Sequence, residues 1–317
     1  MPPENAPPVK VLYIIGWGRS GSTIVDNILG GTDGFFSAGE LSYIWERGLL
    51  ENRLCGCGRA LPECRVWAAV LQEVLGGRVA EAIDPANVMR LQRDKVRVRH
   101  TWSLLRQEQG QIANDPLTRY IELQGRLYMT LGKVTGARVI VDSSKRPSDG
   151  AILRLMPQIT PYYVHLVRDP RAVAYSWQRR KAQLDRDRPT DLTPHSPIDS
   201  TLKWTLWNFA AEALRRRIDP ARSMLVRYED FAAQPRATIQ RMINLVAENS
   251  RPPFETSRSV RLSSNHTVSG NPGRFSSGTV ELRRDDEWLM SQSRKDRIIA
   301  TAFALPLLAR YGYRLRP

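Results

Sequence analysis

The run Gly16-Trp17-Gly18-Arg19-Ser20-Gly21-Ser22-Thr23 constrains this chain more than any other feature. It follows Val9 to Ile15, a short apolar stretch rich in β-branched residues that reads as a buried strand, and it opens a helix expected from about Ser22. A glycine-rich turn between strand and helix lets backbone N–H groups and a helix N-terminus cradle phosphate. A Walker loop also needs a lysine directly after its last glycine, to reach the β and γ phosphates. Here that place is held by Ser22, and Arg19 sits inside the loop instead. Its guanidinium can neutralise an oxyanion without bridging to a terminal phosphate, which suits a donor lacking a γ-phosphate. The competing interpretation is a glycine-rich turn with a structural arginine.

Further strands are expected at Phe35 to Ala38, at Arg138 to Val141 running into Asp142-Ser143-Ser144, at Tyr162 to Val167 running into Arg168-Asp169-Pro170, and at Met224 to Tyr228. Helical periodicity covers most of Val66 to Gln111, with breaks at Gly76-Gly77 and near Pro85. It returns at Pro116 to Leu131, Ser200 to Arg217, Pro235 to Ala247 and the end of the chain. Strands separated by helices imply right-handed crossovers, so the expected fold is α/β, a P-loop-like three-layer sandwich whose central, mostly parallel sheet is flanked by helices. Ligands then bind at the carboxyl ends of the strands. Residues 184–198 mix charges with Pro189, Pro194 and Pro197 and predict a mobile loop, a candidate lid. The expected organisation is one domain over 1–317, with a Cys-rich and helical insert at about 48–135 and an irregular covering loop at about 249–285.

The 317 residues carry a net charge of +15, nearly all of the cations being arginine. Such a balance admits nucleic acid, an anionic surface or an anionic ligand, yet no helix-turn-helix, zinc-finger or RNA-binding signature accompanies it. No nucleic-acid partner is therefore expected. No apolar run approaches membrane-spanning length and no basic-then-apolar leader opens the sequence, so no membrane span and a cytoplasmic location are expected.

A second motif, His165-Leu166-Val167-Arg168-Asp169-Pro170-Arg171-Ala172-Val173-Ala174-Tyr175-Ser176, places an arginine at a strand end and a serine eight residues later on the next helix. Arg168 and Ser176, about two helical turns apart, can face one anion. Alternatively, Asp169 at the N-cap and Pro170 at N1 make this a salt-bridged helix start. The two motifs together resemble those of the PAPS-dependent sulfotransferases, bacterial members included, where PAPS is 3'-phosphoadenosine 5'-phosphosulfate. The first loop resembles their 5'-phosphosulfate loop, which implies donor contacts from Gly18, Arg19, Ser20, Gly21, Ser22 and Thr23. The second resembles their 3'-phosphate motif, which implies the same for Arg168 and Ser176. Val226-Arg227-Tyr228-Glu229-Asp230 resembles the family strand whose tyrosine contacts the adenine region. Asn265-His266-Thr267-Val268-Ser269-Gly270-Asn271-Pro272-Gly273-Arg274-Phe275 resembles a carboxyl-terminal loop that closes over the nucleotide, with Arg274 reinforcing the 3'-phosphate site. The resemblance implies PAPS as co-substrate and a small-molecule, glycan or lipid acceptor offering a hydroxyl or amine.

Sulfuryl transfer needs in-line positioning, cations on the nonbridging and leaving oxygens, and a base for the acceptor. A sulfuryl group carries less negative charge than a terminal phosphoryl, so no metal is expected among the site residues. Arg19 and Lys145 supply the positive charge instead. For the base the expectation is Glu40 in Ser37-Ala38-Gly39-Glu40-Leu41, an arrangement that resembles the tyrosylprotein sulfotransferases; its pKa would have to be raised toward neutrality. The alternative is a glutamate placed favourably in a helix's first turn. The loop Asp142-Ser143-Ser144-Lys145-Arg146-Pro147 lacks the histidine that cytosolic members use there. His100, His165 and His195 are expected to be structural or exposed. Cys55, Cys57 and Cys64 have no fourth ligand at ordinary zinc spacing and no histidine close by, so reduced or disulfide-bonded thiols are expected ahead of a zinc site, in an insert that shapes the acceptor pocket. Trp17, Trp45, Trp67, Trp177, Trp204 and Trp207 are candidates for that pocket, or for core. Two rival functions are a P-loop kinase, with Val139-Ile140-Val141-Asp142 as a Walker B strand, and a basic anion-binding protein without chemistry.

Overall fold

Residues 9–15 are apolar almost throughout, and in the computed structural model, which describes residues 8–76, 84–109, 115–186 and 190–315, both faces of that strand are buried. Val11, Tyr13 and Ile15 of β1 (Val9–Ile15) pack into one hydrophobic cluster, and Leu12 and Ile14 into another on the opposite face. This is the period-2 alternation of a strand covered on both sides. The partners of β1 are β3 (Val139–Lys145) and β4 (Ile159–Val167), both parallel to it. With β2 (Phe35–Gly39) outside β3 and β7 (Ser223–Arg227) outside β4, the five strands run β2-β3-β1-β4-β7, every pairing parallel.

The helices Ser22–Gly30 and Pro235–Leu245 cover one face through Val25, Ile28, Leu29, Ile239 and Ile243. The helices Arg65–Leu75 and Pro116–Thr135 cover the other through Trp67, Val70, Leu127 and Leu131. The expected three-layer α/β arrangement is thus present. Parallel register aligns the carboxyl ends: Ile15 lies opposite Lys145 and His165, Gly39 opposite Asp142, and Val167 opposite Arg227. All the candidate site motifs leave the sheet at one edge for this reason.

Two segments differ from expectation. Residues 184–198 contain the second strand of a short hairpin, β5 (Ala182–Gln183) with β6 (Thr190–Asp191), and the segment is fastened between those strands at Asp185, a buried side chain 3.7 Å from Arg53 and 3.3 Å from Arg274. Residues 249–285 contain a second hairpin, β8 (Ser259–Leu262) with β9 (Gly278–Glu281). Gly77, Gln111 and Pro189, which figured in the expected helix break, helix end and loop, lie outside the described residues. Among the described residues no helix is long and apolar enough to cross a membrane.

Candidate active site

Gly21 sets the first anion cradle. It stands at the N-cap of the helix Ser22–Gly30 with φ +86°, a left-handed conformation that favours glycine, and a Cβ there would lie 2.7 Å from the Tyr228 ring. No side chain caps this helix and no acidic residue occupies its first turn, so its leading amides and positive dipole end stay open. Ser20 Oγ and Arg19 Nε are buried without a hydrogen-bond partner. Buried polar groups are normally satisfied, and a bound oxyanion is a partner these groups fit. Arg19 itself holds a left-handed φ of 66°, and its guanidinium lies 4.8 Å from the Trp177 ring centroid. Burial lowers its pKa to about 10, despite the opposing influence of Glu40, which leaves it charged at neutral pH.

The second cradle sits at the end of β4. Asp169 caps the helix Pro170–Gln178 by accepting from Arg171 N, and Arg171 returns an ion pair of 2.6 Å to Asp169. The salt-bridged helix start anticipated as an alternative is therefore real, but it is Arg171 that satisfies Asp169. Arg168 is left to face the cavity, stacked 4.4 Å over Tyr228 and bonded to Arg19 O at 3.2 Å and to Asp285 Oδ2 at 3.0 Å. Ser176 lines the same cavity.

Between them, Glu40 and Lys145 form a direct ion pair, with Glu40 Oε2 a further 3.4 Å from Arg47 Nη1. Lys145 also takes a left-handed φ, of 70°, and donates to Ser143 O at 3.0 Å. Two non-glycine residues in this strained region, Arg19 and Lys145, point into one site, as strain held for function does. Burial pushes the Glu40 carboxyl up, but Lys145, Arg47 and Arg274 together hold it below the usual carboxylate range. The raised pKa expected of this residue is thus absent from the free site: its cationic neighbours outweigh desolvation. Off the cavity, the buried Asp26, bonded by Ser37 Oγ at 2.6 Å, is one of the carboxyls that desolvation does push up, to about 7.

These groups line one cavity of about 550 Å³. Of the residues singled out from sequence, Gly18, Arg19, Gly21, Ser22, Thr23, Glu40, Lys145, Arg168, Ser176 and Tyr228 all border it. Ser20 is buried beside it. Arg274 does not border it: its guanidinium donates to Thr267 O at 2.8 Å and Leu54 O at 2.7 Å and pairs with Asp185, which ties three loops together. The cavity lining carries Arg19, Arg47, Lys145, Arg168 and Lys181 against Glu40 and Asp285, five cations to two anions and hence an excess of +3. Burial, then Arg19 and Arg179, lower the Lys181 pKa, so the cluster is short of negative charge.

Sequence reasoning missed several wall residues. His195 borders the cavity, 4.5 Å edge-on to Trp177, with its Nδ1 paired to Asp199. The signal available was its i,i+4 spacing to Asp199 at the start of the helix Pro197–Arg215. Tyr43 and Arg47, which also border the cavity, stack at 3.8 Å. Trp17, Trp177 and Trp207 form an aromatic wall, Trp17 lying 4.7 Å from Trp207, whereas Trp45, Trp67 and Trp204 are wholly buried. No described residue of 48–135 lines the cavity; the insert packs against the sheet face instead, so it does not shape this pocket directly. The absence of a histidine near the cysteines is also corrected: His266, 202 residues from Cys64, brings Nδ1 to 3.1 Å from its Sγ.

Fold and site define a P-loop-like α/β protein with a cationic cavity at the strand tips. The chain belongs to the sulfotransferase family, whose model matches residues 12–248. Such proteins are transferases. The sulfotransferase domain from the curacin biosynthetic pathway is similar in structure, with a TM-score of 0.53 and 16% identity over 98% of this chain and 99% of that one. The sulfotransferase domain from the Synechococcus PCC 7002 olefin synthase gives 0.52 and 22% over 96% and 98%. No curated protein sequence matches the chain at a significant level.

Proposed function

We propose that this protein transfers the sulfuryl group of PAPS to a hydroxyl or amine of an acceptor with an apolar or aromatic portion. The observation that carries the proposal is the pair of anion cradles on neighbouring strand tips, opening into one cavity with an excess of positive charge. The loop 18–23 would hold the 5'-phosphosulfate with its amides, Ser20 Oγ and Arg19. Arg168 and Ser176 would hold the 3'-phosphate, with Tyr228 against the adenine. The acceptor lies on the side of Trp17, Trp177 and Trp207. Glu40 takes the acceptor proton, the acceptor oxygen or nitrogen bonds to sulfur, and the bond from sulfur to the bridging phosphate oxygen breaks. Lys145 and Arg19 offset the charge that builds on the transferring group and the leaving phosphate. The whole chain works as one domain, and the loop at 249–285 covers the donor.

The kinase alternative is disfavoured by Asp142. Its carboxylate accepts from Tyr128 OH at 2.5 Å and from Ser144 N at 2.8 Å, and it lies off the cavity, where a Walker B carboxylate would be of no use. Calorimetry separates the alternatives. Adenosine 3',5'-bisphosphate (PAP) is expected to bind without magnesium and more tightly than ATP or an oligonucleotide. Preference for ATP with magnesium would instead indicate a kinase.

A further inference from the structure

A second constellation lies outside the cavity. Among the described residues, Sγ of Cys55, Cys57 and Cys64 and a ring nitrogen of His266 all fall within 4.8 Å of one another. His266 Nδ1 is 3.1 Å from Cys64 Sγ and 4.0 Å from Cys55 Sγ. A tetrahedral zinc centre, with Zn–S about 2.3 Å and Zn–N about 2.0 Å, has ligand-to-ligand edges of about 3.5–3.8 Å, which these separations bracket. The three cysteines form no disulfide. Pairing any two would in any case strand the third, whereas a Cys3His set uses all four groups.

The ligands arrive on two segments that are already docked. Cys55 and Cys57 sit on a tight turn closed by Gly58 N donating to Cys55 O at 2.8 Å, and Cys64 stands at the N-cap of the helix Arg65–Leu75. Gly56 N donates to Thr267 O at 2.9 Å, so the cysteine turn and the histidine loop meet backbone to backbone. Only glycine permits that approach, since a Cβ at residue 56 would collide with the Asn265 side-chain oxygen. Trp67 Nε1 donates to His266 O at 2.6 Å, and the Phe36 ring lies nearly parallel to the imidazole, 6° apart in plane. These contacts aim Nδ1 at the thiols. Three thiolates on a dication leave a net charge of −1, and the Arg274 guanidinium, bonded to Leu54 O and Thr267 O, lies between the two segments to oppose it. Cys55 and Cys64 are fully buried.

We propose that Cys55, Cys57, Cys64 and His266 bind one zinc ion as a structural clasp between the cysteine insert and the loop that covers the cavity. Four protein ligands leave no open position, which distinguishes a structural from a catalytic zinc. The clasp acts at short range on the active site. Immediately after His266, Val268 N bonds to Ala38 O at 2.9 Å, Glu40 N bonds to Ser269 O at 3.1 Å, and Gly270 and Asn271 line the cavity. Zinc thus fixes the segment against which Glu40 is held. Binding displaces the thiol protons, so uptake of the metal weakens as pH falls.

The test is elemental analysis of the full-length, untagged protein purified under reducing conditions without chelator, with X-ray absorption at the zinc edge. About one zinc per chain, in a shell of three sulfurs and one nitrogen, is expected. Cys64→Ser and His266→Ala should fall to background zinc, and His266→Cys should keep about one zinc per chain in an all-sulfur shell. That last variant, together with the wild-type spectrum, decides the matter even where the first two fail to fold. Wild-type protein that holds no zinc after reduction and zinc addition, an intact disulfide among these cysteines, or full zinc in Cys64→Ser would each overturn the proposal. None of these readouts depends on the donor or on activity.

Discussion

Glu40 stands under two opposed influences, and their balance decides what it can do. Burial alone would keep its carboxyl protonated, but Lys145, Arg47 and Arg274 hold it below the usual carboxylate range. Glu40 is therefore ionised throughout the neutral range, and in the proposed role of base it would gain basicity if an incoming sulfuryl group drew Lys145 away. Glu40→Gln is expected to bind PAP with unchanged affinity and to lose about 10²–10⁴-fold in kcat. A depressed pKa also fixes the pH profile: on lowering pH through neutrality the acid limb of kcat/KM should not appear until below the usual carboxylate range. A histidine base would bring that limb between about pH 6 and 7 instead, which makes the profile a discriminator against His195. Truncating Lys145 is a poorer test, because the buried Glu40 carboxylate would lose its direct ion pair and keep only the longer contact to Arg47, and breaking a buried pair costs up to about 3–5 kcal/mol. Glu40 was legible in the sequence from its place after β2. Its ion pair was not, because Lys145 is 105 residues away and meets it only through the pairing of β2 with β3.

At the scale of elements, the strand tips were legible because each is a short apolar run that ends in glycine or charge, and Val9–Ile15 matched the expected strand residue for residue. The hairpin of β8 and β9 was not, since Gly278–Glu281 is largely exposed and carries no period-2 apolar signal. That hairpin matters: it is followed by Asp285, whose carboxylate occupies Arg168 at 3.0 Å. A 3'-phosphate must share or displace this carboxylate. Asp285→Asn is therefore expected to tighten PAP binding by roughly 1 kcal/mol, about fivefold in Kd, through loss of one partly exposed charge near the anion. Calorimetry at moderate salt checks this, and weaker binding by Asp285→Asn would show that Arg168 does not receive the phosphate. Arg274 shows the limit of motif matching. Its position in the covering loop resembled a phosphate ligand, yet Leu54, Thr267 and Asp185 engage its guanidinium from segments far apart in the chain.

Across the whole molecule, five parallel strands place two anion-seeking loops side by side and leave an excess of +3 in the cavity they share. The general positive charge of the chain pointed only to some anionic partner; the fold gathers a part of it at the tips of β1, β3 and β4. Long-range contacts carry what the sequence concealed, from the histidine beside the cysteines to the selection of Trp17, Trp177 and Trp207, out of six candidate tryptophans, as the aromatic wall of the cavity. The central claim is that one donor spans both cradles. A crystal structure of the protein with PAP measures this directly. The 5'-phosphate should lie on the amides of Gly18 to Thr23, and the 3'-phosphate between Arg168 and Ser176. PAP bound with either phosphate pointing into solvent, or outside the cavity altogether, would contradict the account.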